Sequence, residues 1–361
     1  MGFLEWIGSW RRLTDDERFC LAFFHNDEEY ETIKQLVRQH RLLFESIKAG
    51  FTFFEEDDYM YARTSEPALQ PLTDRMNIEL KHRFEHEWFH QFKNNAYELL
   101  PRLIARNIVG LDDVKKSITL QLFSKDPLHL LLVNDQGLEA HHFFTSIEAL
   151  TDNRNCCIGM ELNDSNVFTM YDQGIVMIDQ FEAVKRPVKQ LLLPIMDHGI
   201  ADEGPEARPA RVRILAATLP IGGRFSRTYE NLKRQIPVDP VLLHRFDLLF
   251  INRLSDVAAR GAKLVPGFDH LKPADREFIK AYIHHARQIE VKMSDTYEDE
   301  LIEYLGYLQS KYTRSPKEVT ERVLDTLRKL AKASARLELR DVVETRDIQR
   351  AKELVESSLA V

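Results

Sequence analysis

The sequence predicts an α/β core built on a parallel sheet, with an all-helical domain after it and a small, mostly helical unit before it. Three observations carry this. From residue 107 to about 253, short and nearly all-apolar runs alternate with helical patterns, as in a sheet covered on both faces. Beyond Lys272-Pro273 the periodicity is helical to the end. Residues 1–63 hold capped helical patterns followed by two β-prone runs.

In the first unit, Thr14-Asp15-Asp16-Glu17 is a capping box opening a helix, and Asn26 with Glu29 opens another. Phe51–Phe54 and Tyr59–Arg63 are the β-prone runs, with Glu55-Glu56-Asp57-Asp58 as the expected hairpin tip. Helices followed by a hairpin suggest a winged-helix-like module. Four consecutive acids speak against a DNA-reading wing. Ser65, Pro67 and Pro71 mark a linker. Residues 76–100 read as one helix, with Leu80, Phe84, Trp88 and Phe92 on one face. The expected core strands are Leu128–Val133, Ile175–Ile178, Arg213–Ala217 and Leu248–Ile251; the closing helices are Ala274–Ile289, Tyr297–Tyr312, Lys317–Leu337 and Thr345–Ser358. The domains expected are 1–75, 76–255 and 256–361.

Composition narrows function. Of 361 residues, 49 are Lys or Arg and 57 are Asp or Glu, a net charge of −8 that argues against a surface gripping nucleic acid all over. No apolar run approaches a membrane span, so no membrane partner is expected, and Met1-Gly2-Phe3-Leu4-Glu5-Trp6 lacks the apolar core of a signal peptide. Cys20, Cys156 and Cys157 form neither a zinc spacing nor a disulfide framework, which points to a reducing, cytoplasmic compartment.

His86-Glu87-Trp88-Phe89-His90 matches H-E-x-x-H, a spacing that on a helix can hold zinc with a glutamate as general base. The apolar stripe, however, contains Trp88, and His82, His86 and His90 lie about 200° around the helix from it, on the face that meets water. No third ligand follows at the family spacing. Solvated surface histidines are the expectation, no metal is assigned, and a zinc peptidase is the remote enzyme reading.

Gly110-Leu111-Asp112-Asp113-Val114-Lys115-Lys116 leads through a helix to the first core strand, and Leu243-His244-Arg245-Phe246-Asp247-Leu248 lies at the last. Tyr282-Ile283-His284-His285-Ala286-Arg287, Thr320-Glu321-Arg322-Val323-Leu324-Asp325 and Thr345-Arg346-Asp347-Ile348 follow in order. This series resembles the AAA+ module and lid of the minichromosome-maintenance (MCM) replicative helicases, archaeal ones especially, over roughly residues 105–358. The resemblance implies an AAA+ P-loop-type sheet, an all-α lid and a role in DNA replication.

The departures from the family pattern concern its chemistry. Where the family's phosphate loop reads G-D-P-G-x-A-K-S, this chain has Asn134, Asp135, Gln136, Gly137, Leu138, Glu139, Ala140 and His141. Ala140 replaces the lysine that reaches the phosphates, His141 the hydroxyl that holds Mg²⁺, and Glu139 adds a carboxylate. Ile178-Asp179-Gln180-Phe181 resembles the Walker B segment, with Gln180 where a glutamate activates water. Ala216-Ala217-Thr218-Leu219-Pro220 puts Leu219 at the sensor-1 asparagine. No cofactor is therefore expected. ATP and Mg²⁺ belong to the alternative of a weakly active ATP-dependent DNA helicase, in which Lys115, Lys116 or Lys125 would replace the missing lysine.

In the family, the arginine finger and the sensor-2 arginine act on a neighbouring subunit's site; the matching residues are Arg245 and Arg322. Two readings stand: arginines supplied in trans, or a structural ion pair of Arg245 with Asp247 beside a solvated lid residue at Arg322. The partners implied are another copy of the chain or an active MCM relative. DNA contact has two readings as well: Arg208, Arg211 and Arg213 could touch phosphate, or could belong to a solvated hairpin pairing with Asp202, Glu203 and Glu206. The expectation is a degenerate MCM-like protein acting as a structural or regulatory subunit.

Overall fold

The computed structural model describes residues 52–56, 59–65, 67, 70, 73–74, 89–108, 110–151, 156–158, 166–201, 207–226, 232–255, 273–313 and 318–360. Packing groups the chain into two compact units: Met1–Asn94 with Lys272–Tyr282, and Asn95–Leu271 with Ile283–Val361. The second unit holds the sheet together with most of the helical stretch that follows it, Ile283–Val361.

In the first unit, β1 (Thr52–Glu56) pairs antiparallel with β2 (Tyr59–Arg63), and Glu56 stands opposite Tyr59. Glu55 and Glu56 are therefore strand residues rather than hairpin tip. A two-residue connection matches the strand twist better than the longer loop that the acidic run suggests. The capping boxes of residues 14–29 and the winged-helix reading lie outside the described residues. Phe89 and Phe92 pack edge-on against Tyr282, with ring centroids 5.2 and 4.9 Å apart, and both meet Phe278 at 5.5 Å.

The single helix expected over 76–100 is interrupted. Residues 89–92 are helical, 93–95 form a turn, and a short helix resumes at Ala96–Leu99. The Asn94-Asn95 pair explains the break, since asparagine side chains compete for the helix backbone's hydrogen bonds. The chain passes from one compact unit to the other at this point. Beyond the turn, Tyr97 lies beneath Arg350, whose guanidinium carbon is 3.7 Å from the ring centroid.

The second unit holds a five-stranded parallel sheet in the order β4-β5-β6-β3-β7, built from β3 (Leu130–Asn134), β4 (Cys156–Ile158), β5 (Ile175–Ile178), β6 (Arg213–Thr218) and β7 (Leu248–Asn252). The four strands read from the sequence are all present, each within two residues of its expected ends. β4 was not among them, being only three residues long. β3 and β5 are buried at every position, which is why their sequences are apolar runs and not alternations. Each such aliphatic side chain contributes about 1.5–3 kcal/mol on burial.

Helices cover both faces: α1 (Asp112–Phe123), α2 (His141–Leu150) and α3 (Arg186–His198). Gln121 of α1 donates from Nε2 to the carbonyls of Leu128 and Ile214, tying the helix to the segment just before β3 and to β6. The helical domain consists of α4 (Pro273–Gln288), α5 (Asp295–Lys311), α6 (Glu321–Leu337) and α7 (Thr345–Leu359). α7 starts in a capping box between Glu344 and Asp347. It reaches the sheet through Ser358, whose hydroxyl accepts from Leu249 N at 2.9 Å and so covers the β7 edge.

Candidate functional site

In an open parallel sheet, ligands bind beyond the carboxyl ends of the strands where the strand order reverses. Here that place lies beyond β3, β5 and β6, since the chain leaves β3 toward β4 and returns past it to β7. A cleft of about 330 Å³ opens there, lined by the loop from Asn134 to His141, by Asp179, Gln180 and Glu182 after β5, and by Ala217, Thr218 and Leu219 at the end of β6. Three segments singled out in the sequence thus converge.

The loop after β3 is held by its own hydrogen bonds. Asn134 accepts from Asn252 Nδ2 at 2.8 Å. Asp135 is buried, and its carboxylate accepts from Phe225 N at 2.7 Å and Leu254 N at 2.9 Å, so it clamps two other loops and does not line the cleft. The amides of Asp135, Gln136 and Leu138 donate to the carbonyls of Asn252, Gly223 and Asp135 at 3.0, 2.8 and 3.0 Å. Gly137 supplies the left-handed turn at φ 105°. α2 then begins at His141 with no side-chain cap.

Opposite the loop, Asp179 accepts from the amide of Gln180, which itself sits in the left-handed region at φ 49°. Holding a non-glycine residue there costs roughly 1–2 kcal/mol. Glu182 was not singled out in the sequence. Its Oε2 accepts from Thr218 Oγ1 at 2.6 Å and Leu219 N at 3.3 Å, which joins the segment after β5 to the end of β6. Glu139, Asp179 and Glu182 place three carboxylates in the cleft, and no lysine or arginine lines it among the described residues.

The three lysines offered as substitutes for the missing cation are engaged elsewhere. Lys115 is buried and donates to the carbonyls of Ile108 and Ala105. Burial lowers its pKa. Lys116 lies 5.5 Å from the centre of the Tyr97 ring, and Lys125 pairs with Glu290.

Arg245 and Arg322 meet at another place. Arg245 Nε donates to Asp197 Oδ2 at 2.9 Å, and Arg322 Nη1 donates to Asp197 Oδ1 at 2.8 Å. Arg322 also reaches Met196 O at 3.2 Å, while its Nε is buried without a hydrogen-bond partner among the described residues. Burial alone would raise the Asp197 pKa, but the hydrogen bonds from Arg322 and Arg245 outweigh it and hold the group below its ordinary range. Asp247, offered as the local partner of Arg245, instead accepts from Thr326 Oγ1, Lys329 Nζ and His129 N. Nothing in the sequence marked Asp197. Beside this pair lies a second cleft, of about 450 Å³, lined in part by Arg211, Arg322, Arg328, Lys329 and Lys332 against Asp126, Asp197 and Asp325.

The three candidate DNA-contacting arginines separate. Arg213 is 3% exposed and donates to the carbonyls of Gly174, Gln121, Leu122 and Gln173, which makes it a structural clamp between α1, β5 and β6 rather than a phosphate contact. Arg211 is exposed and grips Asp172 with Nε and Nη2 at 3.1 and 2.6 Å, and Arg208 Nη1 donates to Asn166 Oδ1 at 2.6 Å. The base of the expected hairpin is present, with Ile200 bridging Pro209; its acids Asp202, Glu203 and Glu206 lie outside the described residues. So do His86 and Glu87 of the H-E-x-x-H match, while His90 is exposed. No group of three or more metal-ligating side chains occurs among the described residues, and none of their helices is long and apolar enough to cross a membrane.

The sheet order, the cleft beyond its strands and the packed helical domain define a P-loop-type AAA+ module with its lid. Two family models match it: the MCM P-loop domain over residues 162–262 and the MCM AAA-lid domain over residues 277–359. The chain belongs to the MCM family. The first match opens beyond the loop of residues 134–141. Among similar proteins are the DNA replication licensing factor MCM4 of Arabidopsis thaliana, 28% identical over 71% of this chain and 36% of its own length, and an uncharacterized MCM-type protein of Methanocaldococcus jannaschii, 28% identical over 73% and 42%. The zygotic DNA replication licensing factor mcm6 of Xenopus tropicalis is 24% identical over 76% of this chain and 39% of its own length. The chain thus matches well under half the length of each of these relatives.

Proposed function

We propose that this chain is an MCM-type subunit of DNA replication that does not hydrolyse ATP and acts as a structural or regulatory partner of an active MCM relative. The observation that carries the reading is the charge of the cleft beyond β3, β5 and β6: Glu139, Asp179 and Glu182 line it and no lysine or arginine does among the described residues, Lys189 lying outside the lining with its Nζ on Glu182 O at 3.1 Å. A triphosphate brings several negative charges of its own. At contact distance each like-charge pair costs about 1–4 kcal/mol at protein-surface dielectric values, and the amides of Asp135, Gln136 and Leu138 are already bonded elsewhere. ATP with Mg²⁺ does not fit these residues. Gln180 cannot serve as a general base, and Leu219 cannot place a water.

Arg245 and Arg322 remain as groups that could act on another subunit's nucleotide, where an arginine supplied in trans is worth about 10³–10⁵ in rate. Asp197 would have to release them, since phosphate and carboxylate compete for the same guanidinium face. The test is to add the purified chain to an active MCM relative from the same cell and measure ATP turnover. The reading expects a changed rate that is lost with Arg245→Ala. ATP turnover by the chain alone, abolished by Asp179→Ala, would overturn it.

A further inference from the structure

In the lid, α5 and α7 lie side by side. Tyr297 Oη and Thr345 Oγ1 share a hydrogen bond at 2.9 Å, Lys352 Nζ donates to Glu300 Oε1 at 2.5 Å, and Tyr304 Oη donates to Glu356 Oε1 at 2.6 Å. Between the two helices opens a groove of about 500 Å³, lined by Tyr304, Tyr307, Gln349, Lys352, Glu353 and Glu356. It shares no lining residue with the acidic cleft beyond the strands or with the arginine-lined cleft.

We infer that this groove docks a basic segment of a partner protein, with an arginine stacked on Tyr307 and paired to Glu353.

Three observations support it. The rings are arranged for a cation. Tyr304 and Tyr307 stack with centroids 5.6 Å apart and planes 28° apart, and Tyr307 is 47% exposed despite its large apolar ring. Such ring faces attract cations, and the chain's own gather there: Lys311 Nζ lies 5.1 and 5.0 Å from the centres of Tyr307 and Tyr312, and Lys352 Nζ 4.6 Å from that of Tyr304.

Those lysines are already committed, Lys311 to Glu356 and Lys352 to Glu300, and two carboxylates are left over. Glu353 is exposed and accepts from Gln349 Nε2, an uncharged amide. Glu303 is exposed one turn before Tyr307 on the same face of α5. Neither forms an ion pair among the described residues.

The charge also selects the occupant. α5 carries Asp295, Glu298, Asp299, Glu300 and Glu303 against Lys311 alone, so a nucleic-acid backbone meets like charge here, whereas a basic segment is drawn in and held in register. Arginine suits the groove better than lysine, because its planar guanidinium stacks on a ring and still offers parallel N–H donors to a carboxylate.

The experiment is fluorescence anisotropy at low salt, with the full chain titrated into a labelled peptide of alternating arginine and glycine. Matching lysine–glycine and glutamate–glycine peptides run beside it. The expected order is arginine tighter than lysine, with no binding of the glutamate peptide. Tyr307→Ala and Glu353→Lys should each weaken the arginine peptide by about threefold or more, while Tyr307→Phe, which keeps the ring, retains it. Both side chains are exposed, and thermal melts like that of the parent chain show that the variants fold. An arginine peptide that does not bind, or binds equally well to Tyr307→Ala and Glu353→Lys, overturns the inference. So does self-association of the chain that Tyr307→Ala abolishes, which gives the groove to a second copy, or a single-stranded oligonucleotide that competes with the peptide for it. ATP turnover enters none of these readouts, so the proposed function is tested separately.

Discussion

Asp197 Oδ1 accepts from Arg322 Nη1 at 2.8 Å, which joins the end of α3 to the first turn of α6 and so ties the sheet's covering helix to the lid. The same carboxylate holds Arg245. The two arginines that the family resemblance places together in trans are together in this single chain too, on one anion. The groups are partly exposed, so the network fixes geometry more than it adds stability.

Replacing Asp197 with Ala is expected to cost no more than about 1 kcal/mol at neutral pH. Because the folded chain holds this carboxyl below its ordinary pKa, its contribution is full above the unfolded carboxyl pKa and disappears as pH falls through the folded one. Urea unfolding of the two chains at neutral and acid pH should therefore show a gap that closes in acid.

Arg213 is expected to behave as a core residue. Arg213→Ala removes the side-chain donor of the Gln121 and Leu122 carbonyls and one of the two donors on each of Gly174 O and Gln173 O, and should destabilise by about 2–4 kcal/mol. Arg211→Ala, which removes an exposed pair with Asp172, should cost under about 1 kcal/mol. Thermal melts of both variants decide between these roles.

Restoring the family residues in the phosphate loop should recover binding without recovering chemistry. A chain carrying Glu139→Ala, Ala140→Lys and His141→Ser removes a carboxylate and supplies a cation and a hydroxyl. Affinity for a fluorescent ATP analogue should rise about tenfold or more. Turnover should stay at background, since Gln180 and Leu219 are unchanged.

His129 gives a pH dependence of opposite origin. It is fully buried, and desolvation pushes its pKa down to about 3. Ile214 N donates to its Nδ1, so the neutral ring carries its proton on Nε2, which has no partner among the described residues. The unfolded chain takes up a proton below about pH 6.5 that the folded chain refuses, so stability falls with pH by about 1.4 kcal/mol per unit until the folded value is reached. A His129→Asn chain, lacking the titrating group, should show a correspondingly shallower slope in urea midpoints between neutral and acid pH.

The sheet was legible because β3, β5, β6 and β7 are buried on both faces, and a strand so placed must be written as an apolar run. The lid helices were legible from their periodicity. Asp179, Gln180, Leu219 and residues 134–141 could be picked out because they stand in motif order along the chain, and the fold gathers them beyond the strand ends. β4 is too short to leave a pattern, and the 76–100 helix was overextended because apolar spacing runs on through Asn94 and Asn95.

What the sequence determined by itself is the set of side chains available: no lysine at 140, a carboxylate at 139, an amide at 180. What only the tertiary structure decided is which charges face one another. Arg213 and Arg211 are two residues apart, yet one is clamped by four backbone carbonyls and the other grips a carboxylate at the surface. Asp197, far from any motif, is the anion on which Arg245 and Arg322 converge. Electrostatic partnership depends on distance and burial in space, and chain order carries neither.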